Sequence, residues 1–332
     1  MVSRRRFLAR LAAAATVAPA LRSRVGSADP PPETTRIRIP NIGGICLAPQ
    51  YAAEELLRAE GFTDVQYVKK QGPAGLVQAV TSGEADLSIN YAAGWAGSLD
   101  AGGAITILAG VHTGCNELFG SERVHAIPDL RGKRIAVGGI GDLRYQLISI
   151  VLAQVGIDRR RDVEVLELPS ADAIRLLGEG KVDGFMGFPP EPQELRARKI
   201  GRVLLDNGRD RPWSQYFCCM IAANREFHRK HPVACKRAVR AILKTTEMCT
   251  QEPDRVARLI VDRGFTPNYE YARATVREVG YRAWRDFNPE EAVRFYGLRL
   301  QESGFIKASP KKLIAEGTDW RIIRELRKEL KA

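Results

Sequence analysis

LVQAVTSGEADLSIN, residues 76–90, and AIRLLGEGKVDGFMG, residues 173–187, carry one pattern twice. In each, a short helical stretch runs into a glycine stop, and a Gly-x-x-Asp step (Gly83 to Asp86, Gly180 to Asp183) leads into an apolar strand. Upstream, RIRIPNIGG (36–44) is matched by RIAVGGIGD (134–142), and DVQYV (64–68) by DVEVLEL (162–168). A helical stretch and a glycine, Gly61 or Gly156, separate the members of each pair. The offset is nearly constant: Ile37 answers Ile135, Gly61 answers Gly156 and Asp86 answers Asp183. Strand, Gly-rich turn, helix, strand, helix, strand is an α/β unit, and two such units predict two lobes. Ligands of open α/β units sit at the carboxyl ends of the strands, so two facing units enclose a small molecule between their strand-to-helix loops.

The first residues set an address. Ser3-Arg4-Arg5-Arg6-Phe7-Leu8, followed by an alanine-rich run from Leu11 to Ala20, resembles a twin-arginine export signal and predicts a periplasmic protein. Cleavage after Ala20 or after Ala28 both fit, and residues 1–28 are set outside the fold. The chain holds 51 Lys+Arg and 39 Asp+Glu, a net +12. Six of those arginines lie in residues 1–28 with no acid, so the remainder has 45 basic against 39 acidic groups, a mild +6. Phe305 to Ala332 holds eight basic and four acidic residues, read as a solvated helix face, so no nucleic-acid partner is expected. No apolar run approaches the roughly 18 residues of a membrane span, and no stable membrane insertion is expected after signal cleavage.

Six cysteines (Cys46, Cys115, Cys218, Cys219, Cys235, Cys249) are spaced neither as a disulfide framework nor as a zinc site, so no metal and no cofactor is predicted. Cys218 and Cys219, adjacent on a predicted strand over 213–222, point to opposite faces, so at most one sees the cleft. Pro30-Pro31-Pro32 lies in a stiff linker over 29–34. Lobe 1 is predicted over 35–120 and 214–332, and lobe 2 over 121–213. From Asn224 onward the patterns are helical, with a helix over 234–249 and Asn288-Pro289 and Ser309-Pro310 as helix starts, and these helices are expected to pad lobe 1.

IGGICLAPQYAAEELLRAEGF (42–62), LVQAVTSGEADLSIN, DLRGKRIAVGGIG (129–141) and GKVDGFMGFPPEPQELR (180–196) together resemble the solute-binding proteins of nitrate/sulfonate/taurine-type ABC importers. These are class II periplasmic binding proteins, in a group that also contains thiamine-pyrimidine binding and synthesis proteins. The resemblance implies an α/β, two-lobed fold, each lobe a sheet flanked by helices. It also implies a monomer that captures a small organic or oxyanionic solute by hinge closure and presents it to an ABC permease and its ATPases, without enzymatic chemistry. At matching positions it implies a ligand site of Asn41, Gly43, Gly44, Cys46, Asn90, Tyr91, Trp95, His112, Gly139, Gly141, Asp142, Pro190, Glu191, Trp213 and Tyr216.

Sulfonate and nitrate binders of this group place Ser or Thr where this chain reads Gly141-Asp142. Two readings stand: Asp142 caps its own helix, or it faces the cleft. If Asp142 and Glu191 both line the cleft, a cationic or amino-bearing ligand stacked on Tyr91, Trp95 or Trp213 is expected. Arg144 offers a counter-charge for a carboxylate ligand.

Two rivals remain. Thiamine-pyrimidine synthases of this fold consume one of their own histidines and use a cysteine-rich motif with iron; Cys218-Cys219 resembles that motif only in part, without three cysteines in a row. A sensor that presents its closed lobes to a receptor would share the fold.

Overall fold

The computed structural model describes residues 29–139 and 142–331; the export-signal expectation and Gly141 lie outside the described residues. The first unit runs β1 (Arg36–Asn41), α1 (Ala48–Tyr51), α2 (Glu54–Ala59), β2 (Asp64–Lys69), α3 (Gly72–Ser82), β3 (Leu87–Tyr91), α4 (Ala92–Asp100) and β4 (Ile105–His112). The chain then crosses to β5 (Glu117–Gly120), β6 (Arg134–Val137), α5 (Leu143–Gln154), β7 (Glu164–Glu167), α6 (Ser170–Gly178), β8 (Gly184–Gly187), α7 (Glu191–Ala197) and β9 (Arg202–Asp206). It returns through β10 (Cys219–Asn224).

The second sheet has the order β7-β6-β8-β5-β9, with β5 antiparallel to both neighbours. In the first lobe β1 pairs with β2, and β10 lies antiparallel between β3 and β4. The Asp86 N–H donates to Arg38 O (2.8 Å), while its carboxylate accepts from the Arg38 N–H (2.7 Å) and guanidinium (2.6 Å), joining β1 to β3. The first lobe therefore reads β2-β1-β3-β10-β4, the same order as the second. In each lobe the inserted antiparallel strand is the one that has just crossed over.

The repeated aspartate has one job in both lobes. Asp183 donates its N–H to Arg134 O (2.8 Å), accepts from the Arg134 N–H (3.1 Å) and pairs with the Arg123 guanidinium (2.7 Å). Matching Arg38 with Arg134 gives an offset two residues shorter than the Ile37–Ile135 alignment. A two-residue slip keeps every side chain on its face of the sheet, so the apolar pattern alone does not detect it. Gly83 (φ 77°) and Gly180 (φ 68°) end the preceding helices in the left-handed conformation that the Gly-x-x-Asp step needs.

Two corrections concern the crossings. Glu117–Gly120 belongs to the second sheet, so the first crossing spans 113–116 and precedes the predicted boundary at 120. The predicted strand over 213–222 is a short turn at Trp213–Gln215 and a strand beginning only at Cys219, because the Trp213 ring packs against Phe295 and Tyr296 instead of continuing a ladder.

Beyond β10 follow α8 (Arg225–Lys230), α9 (Pro232–Gln251), α10 (Pro253–Asp262), α11 (Tyr269–Glu278), α12 (Pro289–Glu302), α13 (Pro310–Gly317) and α14 (Arg321–Glu329). Asn288 and Ser309 cap α12 and α13 through the Glu290 and Lys312 N–H groups. Helix α9 packs on α1 and α2, α12 on α4, and α14 on β4, so this region covers the first lobe, while α11 and α12 also reach α7 and α5 of the second. One core runs through the first lobe and under the second sheet, taking Leu118, Ile135 and Val137; the opposite face buries Phe119, Ala136 and Phe185 with α6 and α7. Alternation along β5 and β6 produces that division. Among the described residues no helix is long and apolar enough to cross a membrane.

Candidate functional site

The β1-to-α1 turn, the ends of β3 and β10, the first crossing, the N-terminus of α5 and the loop after β8 converge on a cavity between the sheets. Its volume is about 40 Å³, room for roughly three waters. The wall includes Ile42, Cys46, Asn90, Tyr91 and Cys219 from the first lobe, Cys115 and Asn116 from the crossing, and Leu143, Arg144, Leu147 and Phe188 from the second. The lobes touch here: the Ile45 N–H donates to Pro189 O (3.3 Å).

Of the residues expected from sequence, Cys46, Asn90 and Tyr91 line the cavity. Asn90 is buried and its Nδ2 makes no hydrogen bond. Tyr91 is buried edge-on against Tyr296, and that burial holds its phenol well above its ordinary pKa. Asn41 Oδ1 accepts from the Gly43 N–H (2.9 Å), shaping the turn that ends in Gly44 and delivers Cys46. The other expected residues among those described lie off the wall. Trp95 is fully buried with its indole N–H donated to Met220 O (2.9 Å). Trp213 is in the core, Tyr216 stacks on Phe295 at 4.1 Å, and Gly139 sits beside Glu167. Helix periodicity put Trp95 one turn past Tyr91, but that turn faces the core. Pro190 is the residue before α7, its carbonyl accepting from the Glu194 N–H.

The alternatives at Asp142 resolve in favour of the cap. Its Oδ1 accepts from the Arg144 N–H (2.7 Å) and its Oδ2 from Arg144 Nη1 (3.0 Å). Arg144 Nη2 donates to Glu191 Oε1 (2.7 Å), and Glu191 Oε2 takes the Phe188 N–H (3.0 Å). Burial pushes the Glu191 carboxyl up, against the pull of Arg144. Arg144 also lies 4.3 Å over the Phe188 ring. One guanidinium thus serves both carboxylates; of the three rings expected to stack on a cationic ligand, Trp95 and Trp213 are in the core and Tyr91 lines the cavity. Sequence reasoning placed Arg144 near the site; it could not show that Arg144 forms part of the wall.

Three wall residues, Cys46, Cys115 and Cys219, and His112 behind them bring one donor atom each to within 4.8 Å of one another. His112 is fully buried at the end of β4; its Nδ1 lies 2.6 Å from Thr113 O, and its Nε2 makes no hydrogen bond. The neighbouring Cys115 and Cys219 thiols, with His112 beside them, pull the Cys46 thiol well below its ordinary pKa. Burial opposes a charge on His112, but Cys46 outweighs it and raises the imidazole. Cys218 lies 3.7 Å from Cys115, with the Asn116 amide on its sulfur (3.3 Å). The sequence reading named Cys46 and His112 but missed Cys115 and Cys219 as cleft residues.

The sequence model of the NMT1-like family matches residues 30–261. The chain belongs to the NMT1-like family. Among solved structures, this NMT1-like chain resembles the periplasmic nitrate-binding protein NrtA of Synechocystis PCC 6803, with a TM-score of 0.76 at 16% identity over 91% of this chain and 90% of that one. It also resembles the alkanesulfonate-binding protein SsuA of Xanthomonas axonopodis pv. citri bound to MOPS, with a TM-score of 0.68 at 15% identity over 85% and 96% of the two chains. The fold is that of the two-lobed periplasmic binding proteins. Among curated proteins, the bicarbonate-binding protein CmpA of Synechococcus elongatus is 26% identical over 112 residues, 33% of this chain. The match spans only 24% of that relative's length.

Proposed function

We propose that this NMT1-like protein is a periplasmic solute-binding protein, exported by the twin-arginine route, which captures a small solute between its lobes and delivers it to an ABC importer. The observation that carries the reading is the cavity itself: both lobes wall it, and Asn90, a buried side chain, holds an unused donor toward it. A buried donor left unpaired costs about 1–3 kcal/mol, which a ligand acceptor recovers. The cavity's size favours a compact solute, and Asn90, Asn116 and Arg144 favour one with oxygen acceptors, such as a small oxyanion or carboxylate. The crossings at 113–116 and 207–218 serve as the hinge, and capture is a monomer's closure without covalent chemistry.

The test is the thermal midpoint of the chain from Asp29 onward against nitrate, bicarbonate, sulfonates, carboxylates and pyrimidines. One class is expected to raise the midpoint saturably by binding the folded state. Asn90→Ala should weaken that response with little loss of stability. A full panel without response, or turnover of any member, would remove the reading.

A further inference from the structure

Cys46, His112, Cys115 and Cys219 come from three separate stretches of chain and meet at the cleft floor. Their four donor atoms lie within 4.8 Å of one another, and three of the four residues are buried. In tetrahedral zinc sites with Zn–S of about 2.3 Å and Zn–N of about 2.0–2.1 Å, donors stand about 3.5–3.8 Å apart, so small side-chain rotations complete the shell. His112 is already set for that role. With Nδ1 hydrogen-bonded to the Thr113 carbonyl, the Nε2 lone pair is left free on a fully buried ring, which is the outer-shell arrangement that orients histidine ligands. Tyr281 packs edge-on against that imidazole and donates its hydroxyl to the Cys46 carbonyl (3.1 Å), holding two of the four residues in place.

We propose that these four residues form a Cys₃His site for one thiophilic metal ion, with Zn²⁺ the best match to three sulfurs and one nitrogen in a tetrahedron. Three of the four, Cys46, Cys115 and Cys219, also line the solute cavity, so a bound ion stands in the same cleft as the oxygen-recognising groups Asn90 and Arg144. His112 and Cys115 flank the start of the first crossing and Cys219 ends the second, so a bound ion fastens both crossings to the first lobe. Cys218 stands outside the four donors; its sulfur lies 3.7 Å from Cys115 and takes the Asn116 amide.

The experiment takes the chain from Asp29 onward, prepared under reducing conditions. It measures Zn²⁺ by equilibrium dialysis and, in a parallel sample, the Co²⁺ absorption spectrum. About one equivalent of Zn²⁺ and an intense thiolate-to-cobalt charge-transfer band are expected. Cys46→Ser, Cys219→Ser and His112→Gln should each weaken binding by roughly tenfold or more, while Cys218→Ser and Cys249→Ser keep it. Should a ligand variant fail to fold, X-ray absorption on the zinc-loaded wild type reads the same shell directly as three sulfurs and one nitrogen. Binding well below one equivalent, loss of the band in Cys218→Ser but not in Cys219→Ser, or a Cys115–Cys218 disulfide in chain isolated from the periplasm overturns the proposal. Because the readout is metal, a protein that ignores every oxyanion can still bind zinc, and one that binds a solute can fail this test.

Discussion

Arg144 is the shared cation of Asp142 and Glu191 at the cleft. Removing it leaves two nearly buried carboxylates without a cation, a loss of about 3–5 kcal/mol for a broken buried pair. Arg144→Met should therefore unfold at markedly lower urea. Glu191 makes the deficit depend on pH. Its pKa is raised from an ordinary 4.5, so its contribution to stability is complete below that value and is lost as pH rises through the raised one. Without Arg144 the rise is larger, and urea titrations from pH 4 to 8 should show the deficit growing with pH. Asp183 has the opposite sign. Burial works to raise its pKa, but the Arg134 N–H and the Arg123 guanidinium outweigh it, and the value falls below 3.8. Asp183→Asn should cost about 2 kcal/mol at neutral pH, with the difference from wild type shrinking as pH falls through the depressed value. A flat difference across that range would mean that the carboxylate's charge contributes nothing at this joint.

Helix α5 carries the second lobe's side of the cleft, and its residues from Leu147 to Leu152 are buried all the way round. The sequence predicts an amphipathic helix with one apolar stripe; the other faces are covered because α4 and α12 close over it. The closest approach is at Gly94 of α4, where an added Cβ would stand 2.8 Å from a Leu143 methyl. Gly94→Val should hold the lobes apart, and adding Leu143→Ala should restore their approach. Scattering from the single and double variants measures this, since two residues in contact give a non-additive cycle and two independent ones do not.

For the whole molecule, the C-terminal helices reach past the first lobe. Glu278 of α11 takes Arg196 Nη2 (2.5 Å) and Gln193 Nε2 (3.2 Å) from α7, and the Ser303 carbonyl takes Arg159 (2.7 Å). Arg196 also pairs with Glu117 at the start of β5. These contacts tie the C-terminal helices to the second lobe. Because Arg196 is about a third exposed, its pairs are worth about 1 kcal/mol or less, a shift of up to about fivefold toward open lobes in Arg196→Ala. A larger radius of gyration without solute, returning to the wild-type value at saturation, is the expected scattering result. An unchanged radius in both states would assign closure to other contacts.

Much of this was legible in the chain alone. The α/β units, their repeat, the helix caps at Asn288 and Ser309 and the Gly-x-x-Asp joints follow from local rules, because periodicity, glycine geometry and capping act within a few residues. The same locality delivered Asn90 and Tyr91 at the end of β3, while Cys46, in the turn after β1, came from the family resemblance. Tertiary structure decided what local rules cannot reach. It set which strand crosses at Glu117, which face of α4 takes Trp95, and how Arg144 divides itself between carboxylates 2 and 47 residues away. The cysteines illustrate the point best: no spacing relates Cys46, Cys115 and Cys219, because each sits at the end of a different strand or turn. Only the packing of two sheets about their crossings brings those ends together with His112.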